Sequence, residues 1–276
     1  MSGPGLIFNG SLGDELNTVP IVRALYDKYG DKVKVHSRFA TDIFSNNPFA
    51  EINGNCDIKF HLRFAHNKEL AIHMIDHYAR LTGVTVKDRS LNMYLNKLDK
   101  TNIEWQPKKR EKRVVAIDYR AGWPSRRWPF GNWLQLIRAL REGGFTVVAI
   151  GKTWADCYGN LQDKKLEGTN YSFEDKLDIR QTAYVLSKTN LFIGCDSGSA
   201  HLACAVGTKA ITLYGPVHPK SRMHEQTIPI FDGTCTKCNL ITHSEVCRKN
   251  NHMCMNNITV EHVLREVEKA FILGEN

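Results

Sequence analysis

Short apolar runs of strand length alternate with segments of helical period along most of this chain. Few architectures accept that order other than a parallel sheet wrapped by helices. Residues 5–9 (GLIFN) are the first apolar run, Gly10 and Gly13 mark a turn, and Thr18 to Tyr29 sets Val19, Val22, Leu25 and Tyr26 near helical spacing. Val33–His36 is the next strand. Signals weaken between Phe39 and Asp57, and Lys68 to Leu81 reads as a helix carrying Leu70, Ile72, Ile75 and Leu81. A polar stretch, 102–112 (NIEWQPKKREK), looks like a linker, and behind it the alternation restarts. Arg113–Asp118 is a buried-type strand, Phe130–Arg141 a helix and Thr146–Ile150 a strand. Ile179–Ser187 (helix), Leu191–Gly194 (strand), Ser199–Val206 (helix) and Ala210–Leu213 (strand) continue it. A last helix is expected over Val260–Ile272, with Thr259 as N-cap. The pattern predicts an α/β chain of two Rossmann-like, doubly wound domains, strand C-termini facing one cleft. The first would span 1–110, the second 111–258 with a cysteine-rich segment at 232–257, and 259–276 the closing helix.

Composition permits this. The chain has 276 residues, enough for two domains of about 100–150 residues each. An apolar fraction of 42% and a charged fraction of 24% are those of an ordinary globular protein. A net charge of +8 favours anionic partners such as nucleotide sugars, lipid phosphates or nucleic acid; a plain solvated basic surface is the alternative. No basic block is dense enough to be a nucleic-acid motif. Met1 to Asp14 has neither a basic n-region nor a long apolar stretch, and no apolar run approaches the ~18 residues of a membrane helix. The expected location is the cytoplasm, or the periphery of the inner membrane.

Three segments can carry chemistry. In Leu191 to Pro219 a strand ends at Cys195, Asp196-Ser197-Gly198 makes a turn, and a helix begins near Ser199. A helix start presents free N–H groups and partial positive charge to an anion. Gly198 permits close backbone approach and Ser197 can donate to a phosphate; the plain alternative is a βα turn with Asp196 as cap. In Asp118 to Trp133, Arg126 and Arg127 sit in a Trp/Pro-rich loop, where an arginine fork suits phosphate. The alternative there is a surface loop whose tryptophans only pack. In Asn9 to Asn17, Gly13-Asp14 follows the first strand without a GxGxxG pattern. Asp14 can serve as a general base or merely cap a helix. Lys152 ends a strand and is a candidate nucleotide contact.

Taken in order, these segments resemble the bacterial heptosyltransferase family, glycosyltransferase family 9. That family shows a Gly-Asp turn near the N-terminus, a Trp-Pro-x-Lys-x-Trp loop at mid-chain, and Asp-Ser/Thr-Gly followed by His-Leu-Ala and then Gly-Pro. Here they stand as Gly13-Asp14, as Trp123-Pro124-Ser125-Arg126-Arg127-Trp128, and as Asp196-Ser197-Gly198-Ser199-Ala200-His201-Leu202-Ala203 with Gly215-Pro216. The loop lysine is replaced by Arg126, and the N-terminal half is short. The resemblance implies a GT-B type fold and an inverting glycosyltransferase. Asp14 would be the general base. Ser197, Gly198, Ser199 and His201 would hold the donor diphosphate with Asp196, Arg126 and Lys152 beside it. The donor would be a nucleotide-diphosphate sugar, with an ADP-sugar favoured. The acceptor would be a lipopolysaccharide-type glycan, a protein or hydroxymethylated DNA. No Asp-x-Asp occurs in the chain, which argues for catalysis without a metal-held diphosphate.

Cys235, Cys238, Cys247 and Cys254 follow a C-x2-C-x8-C-x6-C spacing that can bind structural zinc or iron, with His243 and His252 as substitute ligands. Reduced thiols are the plain alternative. The resemblance supports the metal, since similar segments occur in the branch that heptosylates autotransporters, where an iron site is known. Two other functions compete: a nucleic-acid-binding module with a four-cysteine zinc site, and a nicotinamide-dependent oxidoreductase. Sparse basic residues near the cysteines weigh against the first, and the missing GxGxxG against the second.

Overall fold

The computed structural model describes residues 3–62, 72–103, 105–108, 111–153, 161–235, 247 and 251–272. Its first part runs β1 (Pro4–Phe8), α1 (Leu12–Leu16), α2 (Val19–Tyr29), β2 (Val33–His36), α3 (Ala40–Phe44), β3 (Ala50–Ile52), β4 (Ile58–Leu62) and α4 (Met74–Thr82). The second part runs β5 (Val114–Asp118), α5 (Phe130–Glu142), β6 (Thr146–Ala149), β7 (Tyr171–Ser172), α6 (Ile179–Leu186), β8 (Leu191–Cys195), α7 (Gly198–Ala205), β9 (Lys209–Tyr214) and β10 (Thr227–Phe231). Two helices follow, α8 (Met253–Asn256) and α9 (Val260–Ile272).

The strands form two sheets, a four-stranded one ordered β3-β2-β1-β4 and a six-stranded one ordered β10-β9-β8-β5-β6-β7. Every pairing within them is parallel. Central strands of a parallel sheet are covered on both faces and need continuous apolar sequence. β5 (VVAID) and β8 (LFIGC) are accordingly buried at every position. In the larger sheet the chain steps outward from β5 to β7, then returns to the other side of β5 with β8. In the smaller sheet it steps from β1 to β3 and returns with β4. Each reversal opens a crevice beyond the carboxyl ends of the central strands, where ligands of such sheets bind.

The two sheets share one hydrophobic cluster. Leu6, Val22, Val35 and Leu91 belong to it together with Val114, Val148, Phe192 and Leu202. The stretch expected to be a linker has no helix or strand among its described residues. Its Trp105 is buried in the same cluster, with ring contacts to Tyr171 (5.7 Å) and Phe173 (5.8 Å). On the other face of the large sheet, Trp128 and Trp133 meet edge to face at 5.0 Å, and Trp128 Nε1 donates to the Ile258 carbonyl at 2.8 Å. The Trp/Pro-rich loop is therefore pinned to the chain entering α9. Thr259 Oγ1 accepts the His262 N–H at 3.2 Å, the bond an N-cap makes.

Three expectations need correction. The helix expected from Lys68 begins at Met74, because His73 is extended and caps it by accepting the Ile75 N–H; residues 68–71 lie outside those described. The weak region before Asp57 holds α3 and β3. β10 was not expected at all. Its sequence, TIPIF, carries Pro229, and proline is tolerated only where no ladder partner needs its N–H. β10 is an edge strand paired only to β9, which satisfies that condition. No helix of the described residues is long and apolar enough to cross a membrane.

Candidate active site

The crevice of the large sheet opens where β8 ends. The chain turns at Asp196, and Ser197, fully extended at φ −148° and ψ 173°, stands at the N-cap of α7. Its hydroxyl caps no backbone N–H, and its Oγ is buried without a partner among the described residues. The first turn of α7 thus keeps the free N–H groups and positive dipole end of any helix start. Asp196 is not the cap. Its carboxylate faces Arg126, whose Nη1 is 3.2 Å from Oδ2 and also donates to the Asp196 carbonyl at 3.2 Å. The Arg126 guanidinium lies over the Trp123 ring, 3.9 Å from its centroid. Burial opposes ionisation of Asp196, but Arg126, then Arg222 and His201, outweigh it and hold the carboxyl below the usual carboxylate range. The charge contact is short but poorly aligned, and both Asp196 Oδ2 and Arg126 Nε lack a hydrogen bond among the described residues.

A buried network sets this turn in place. Asp118, the last residue of β5, accepts from Ser199 Oγ at 2.6 Å and from the Arg120 backbone N–H at 3.1 Å. Arg120, only 1% exposed, donates through Nη2 to Glu174 at 2.9 Å and through Nη1 to the Ile150 carbonyl at 3.2 Å. Burial pushes the Asp118 carboxyl up, with Arg120 and Ser199 opposing. The Ser199 hydroxyl is therefore committed to Asp118, and Ser199 can reach a ligand only through its backbone N–H.

The crevice of the small sheet faces this one. Leu12–Leu16 forms the short helix α1 behind β1, with Ser11 and Asp14 making a capping box. Asp14 Oδ2 accepts from Ser11 Oγ at 2.7 Å and Ser11 N at 3.2 Å. The capping role thus accounts for one oxygen. The other, Oδ1, is 3.3 Å from Nη1 of Arg222, which comes from the loop after β9. Two glycines let the elements touch. A Cβ on Gly13 would lie 2.7 Å from His201 Cδ2, and one on Gly198 would lie 3.3 Å from Leu12 Cβ. The space that Gly198 leaves is filled by Leu12 of α1.

The structure brings Asp14, Arg126, Asp196, Ser197, Gly198, Ser199 and His201 to one place. Lys152 follows β6, the strand next to β5, and is exposed there, without a hydrogen bond or ion pair among the described residues. Sequence reasoning missed Arg222 and Tyr78. Arg222 lies in a loop whose only cue is its place beyond Gly215-Pro216. Tyr78, on α4, has a buried hydroxyl without a partner among the described residues; burial, then Asp14, raises its ionisation far above the ordinary range and keeps it a proton donor. Of the four cysteines, Cys235, Cys247 and Cys254 are buried, and Cys238 lies outside the described residues. Cys247 Sγ accepts the His252 N–H at 3.4 Å. Among the described residues no three His, Cys, Asp or Glu side chains gather as a metal would require. The cysteine segment still touches the site, because a Cβ on Gly215 would sit 2.7 Å from Met255 Sδ.

The model of glycosyltransferase family 9 (heptosyltransferase) matches residues 58–251. Lipopolysaccharide heptosyltransferase 1 of Salmonella typhimurium is 31% identical over 97 residues, 34% of this chain and 30% of that protein. Lipopolysaccharide heptosyltransferase 2 of Escherichia coli is 26% identical over 163 residues, 55% of this chain and 44% of that protein. The matched stretch therefore spans less than half of either curated relative. Among solved structures, the iron-containing dodecameric glycosyltransferase TibC of enterotoxigenic E. coli superposes with a TM-score of 0.80 at 15% identity, covering 100% of this chain and 80% of that one. TibC in complex with ADP-D-beta-D-heptose gives 0.78 at 14% identity, covering 98% and 76%. These likenesses show the fold.

Proposed function

This chain belongs to glycosyltransferase family 9, and from that premise we propose that it transfers a sugar from a nucleotide-diphosphate donor to an acceptor hydroxyl with inversion. Residues 1–110 form the acceptor side and 111–258 the donor side of a GT-B cleft. The observation that carries this reading is the meeting of α1, which carries Asp14, with the start of α7 at Gly13 and Gly198, where Arg222 pairs with Asp14. The donor diphosphate lies against the first turn of α7. There Ser197 Oγ and Arg126 Nε, both without partners among the described residues, supply hydrogen bonds and charge. Asp14 Oδ1 accepts the proton of the acceptor hydroxyl as its oxygen attacks the anomeric carbon. The bond from that carbon to the diphosphate oxygen breaks on the opposite face, and the pair of electrons leaves with the diphosphate. Arg126, Arg222 and the α7 dipole offset the charge that develops there, without a catalytic metal.

ADP-heptose bound to TibC and the names of the curated relatives favour an ADP-sugar donor and a lipopolysaccharide-core acceptor. Protein and hydroxymethylated DNA are the alternative acceptors. Titration with ADP-, UDP- and GDP-sugars set against NADH tests the reading. Saturable binding of one nucleotide sugar and none of NADH is expected; NADH binding alone would restore the oxidoreductase. We further propose that Cys235, Cys238, Cys247 and Cys254 hold one structural zinc or iron. Three buried thiols and the iron of TibC support this, and elemental analysis of protein purified without chelator checks it.

A further inference from the structure

His73 and His224 take no part in the reaction as described, yet they stack in series against His201. His73 to His224 is 5.6 Å between ring centroids, and His224 to His201 is 5.0 Å, both edge to face. Their nitrogens are specifically engaged. His73 Nδ1 accepts the Ile75 N–H at 3.2 Å, and its Nε2 is 2.9 Å from the Met223 carbonyl oxygen. A ring nitrogen accepting an amide N–H carries no proton, and one facing a carbonyl carries one. His73 is therefore neutral and protonated on Nε2. Its bond to the Met223 carbonyl seats the residue just before His224 from the N-terminal half.

His224 Nε2 lies 2.8 Å from His201 Nδ1. Two nitrogens at that distance share one proton. Either His224 donates, leaving His201 protonated on Nε2, or His201 donates and its Nε2 is bare. The surroundings decide between them. His201 Nε2 is 3.9 Å from Asp196 Oδ1 and lies beside Gly13. Asp196 is ionised, so a bare lone pair there would face negative charge, whereas an N–H would face it favourably. Asp14 adds to the negative side, with Arg126 and Arg222 opposite; Arg89 and Asp76 are the charges that act on His73. Burial above all holds His201 and His73 at about 4 and His224 at about 2, so the rings are neutral near pH 7.

We infer that His224 is a positioning residue: its Nε2–H holds His201 in the Nε2–H tautomer, so that His201 turns an N–H toward Asp196 beside the donor-phosphate site, with His73 seating His224 from the N-terminal half. The role in binding rests on the donor reading above, but the tautomer does not. Nitrogen-15 spectra of the histidine side chains in the full chain, with His201 assigned by His201→Asn, read the tautomer directly. ADP titration reads its consequence. In the wild type His201 is expected as Nε2–H. His224→Gln, whose amide can donate at a similar reach, should keep that tautomer and the ADP affinity. His224→Phe should release His201 toward Nδ1–H and weaken ADP by roughly tenfold or more, the scale of one hydrogen bond to a charged group. His201 found as Nδ1–H in the wild type, or equal ADP losses in the Gln and Phe variants, would overturn the inference. Wild-type protein that binds no ADP would sink the donor reading instead, while the spectra still decide the role of His224.

Discussion

Buried polar atoms without hydrogen bonds are costly, and native proteins rarely group them except where a ligand completes the set. Among the described residues, Arg126 Nε and Ser197 Oγ are such atoms, on adjoining loops at the start of α7. An anionic oxygen between them would satisfy both. Arg126→Ala should weaken ADP binding by about 1.5–3 kcal/mol, the range for a charged hydrogen bond. Adenosine, which has no phosphate, should bind the variant as it binds the wild type. Calorimetric titration with both ligands checks this, and parallel losses would assign Arg126 to the base or ribose. These residues were legible in the sequence because they sit where a strand gives way to a helix or beside a tryptophan-proline pair. Arg222, Tyr78 and His224 were not, because each reaches the site through tertiary packing, from a loop or helix whose local sequence carries no motif.

Elements explain why the site is tight. α1 and α7 touch where Gly13 and Gly198 lack side chains. Gly13→Ala puts a methyl against the His201 ring at 2.7 Å, so the ring or the helix must move. Overpacking of this kind costs about 1–3 kcal/mol. Gly198→Ala meets Leu12 at 3.3 Å, a contact that a small shift relieves, and replacing a helical glycine returns up to ~1 kcal/mol. Urea denaturation should therefore show a clear loss for the first variant and near-neutrality for the second. The reverse order would mean that the two helices do not meet as described. The same scale shows what a sequence reveals. β5, β8 and α9 stood out because continuous burial or helical period marks them. β4 escaped notice because it is a largely exposed edge strand (IKFHL), and β10 because Pro229 interrupts it.

At the scale of the whole molecule, two sheets are joined through a shared apolar cluster and through polar contacts, among them a clamp at Arg180. Arg180 of α6 donates to both Asp99 oxygens, at 2.6 and 2.8 Å, and to the carbonyls of Asp42 and Tyr94, each at 2.8 Å. Burial opposes ionisation of Asp99, but Arg180 and the Asn96 N–H outweigh it and depress the carboxyl. A depressed carboxylate contributes stability above the unfolded value of about 3.9 and loses it as pH falls through the folded one. Removing one partner of such a pair costs about 3 kcal/mol. The gap in unfolding free energy between wild type and Arg180→Gln should then be widest above pH ~5 and narrow below ~3.9. A gap independent of pH would assign the clamp to the carbonyl contacts alone. The sequence announced two series of strands and helices. It could not announce that Trp105 and the Arg180 clamp fuse them, because those contacts link residues far apart in the chain. The central claim is that these halves bring a base to a donor held at α7, and Asp14→Asn tests it most directly. With an ADP-heptose donor and a lipopolysaccharide-core acceptor, turnover should fall about 10²–10⁴-fold while ADP affinity stays unchanged; near-wild-type turnover in that variant would contradict the account.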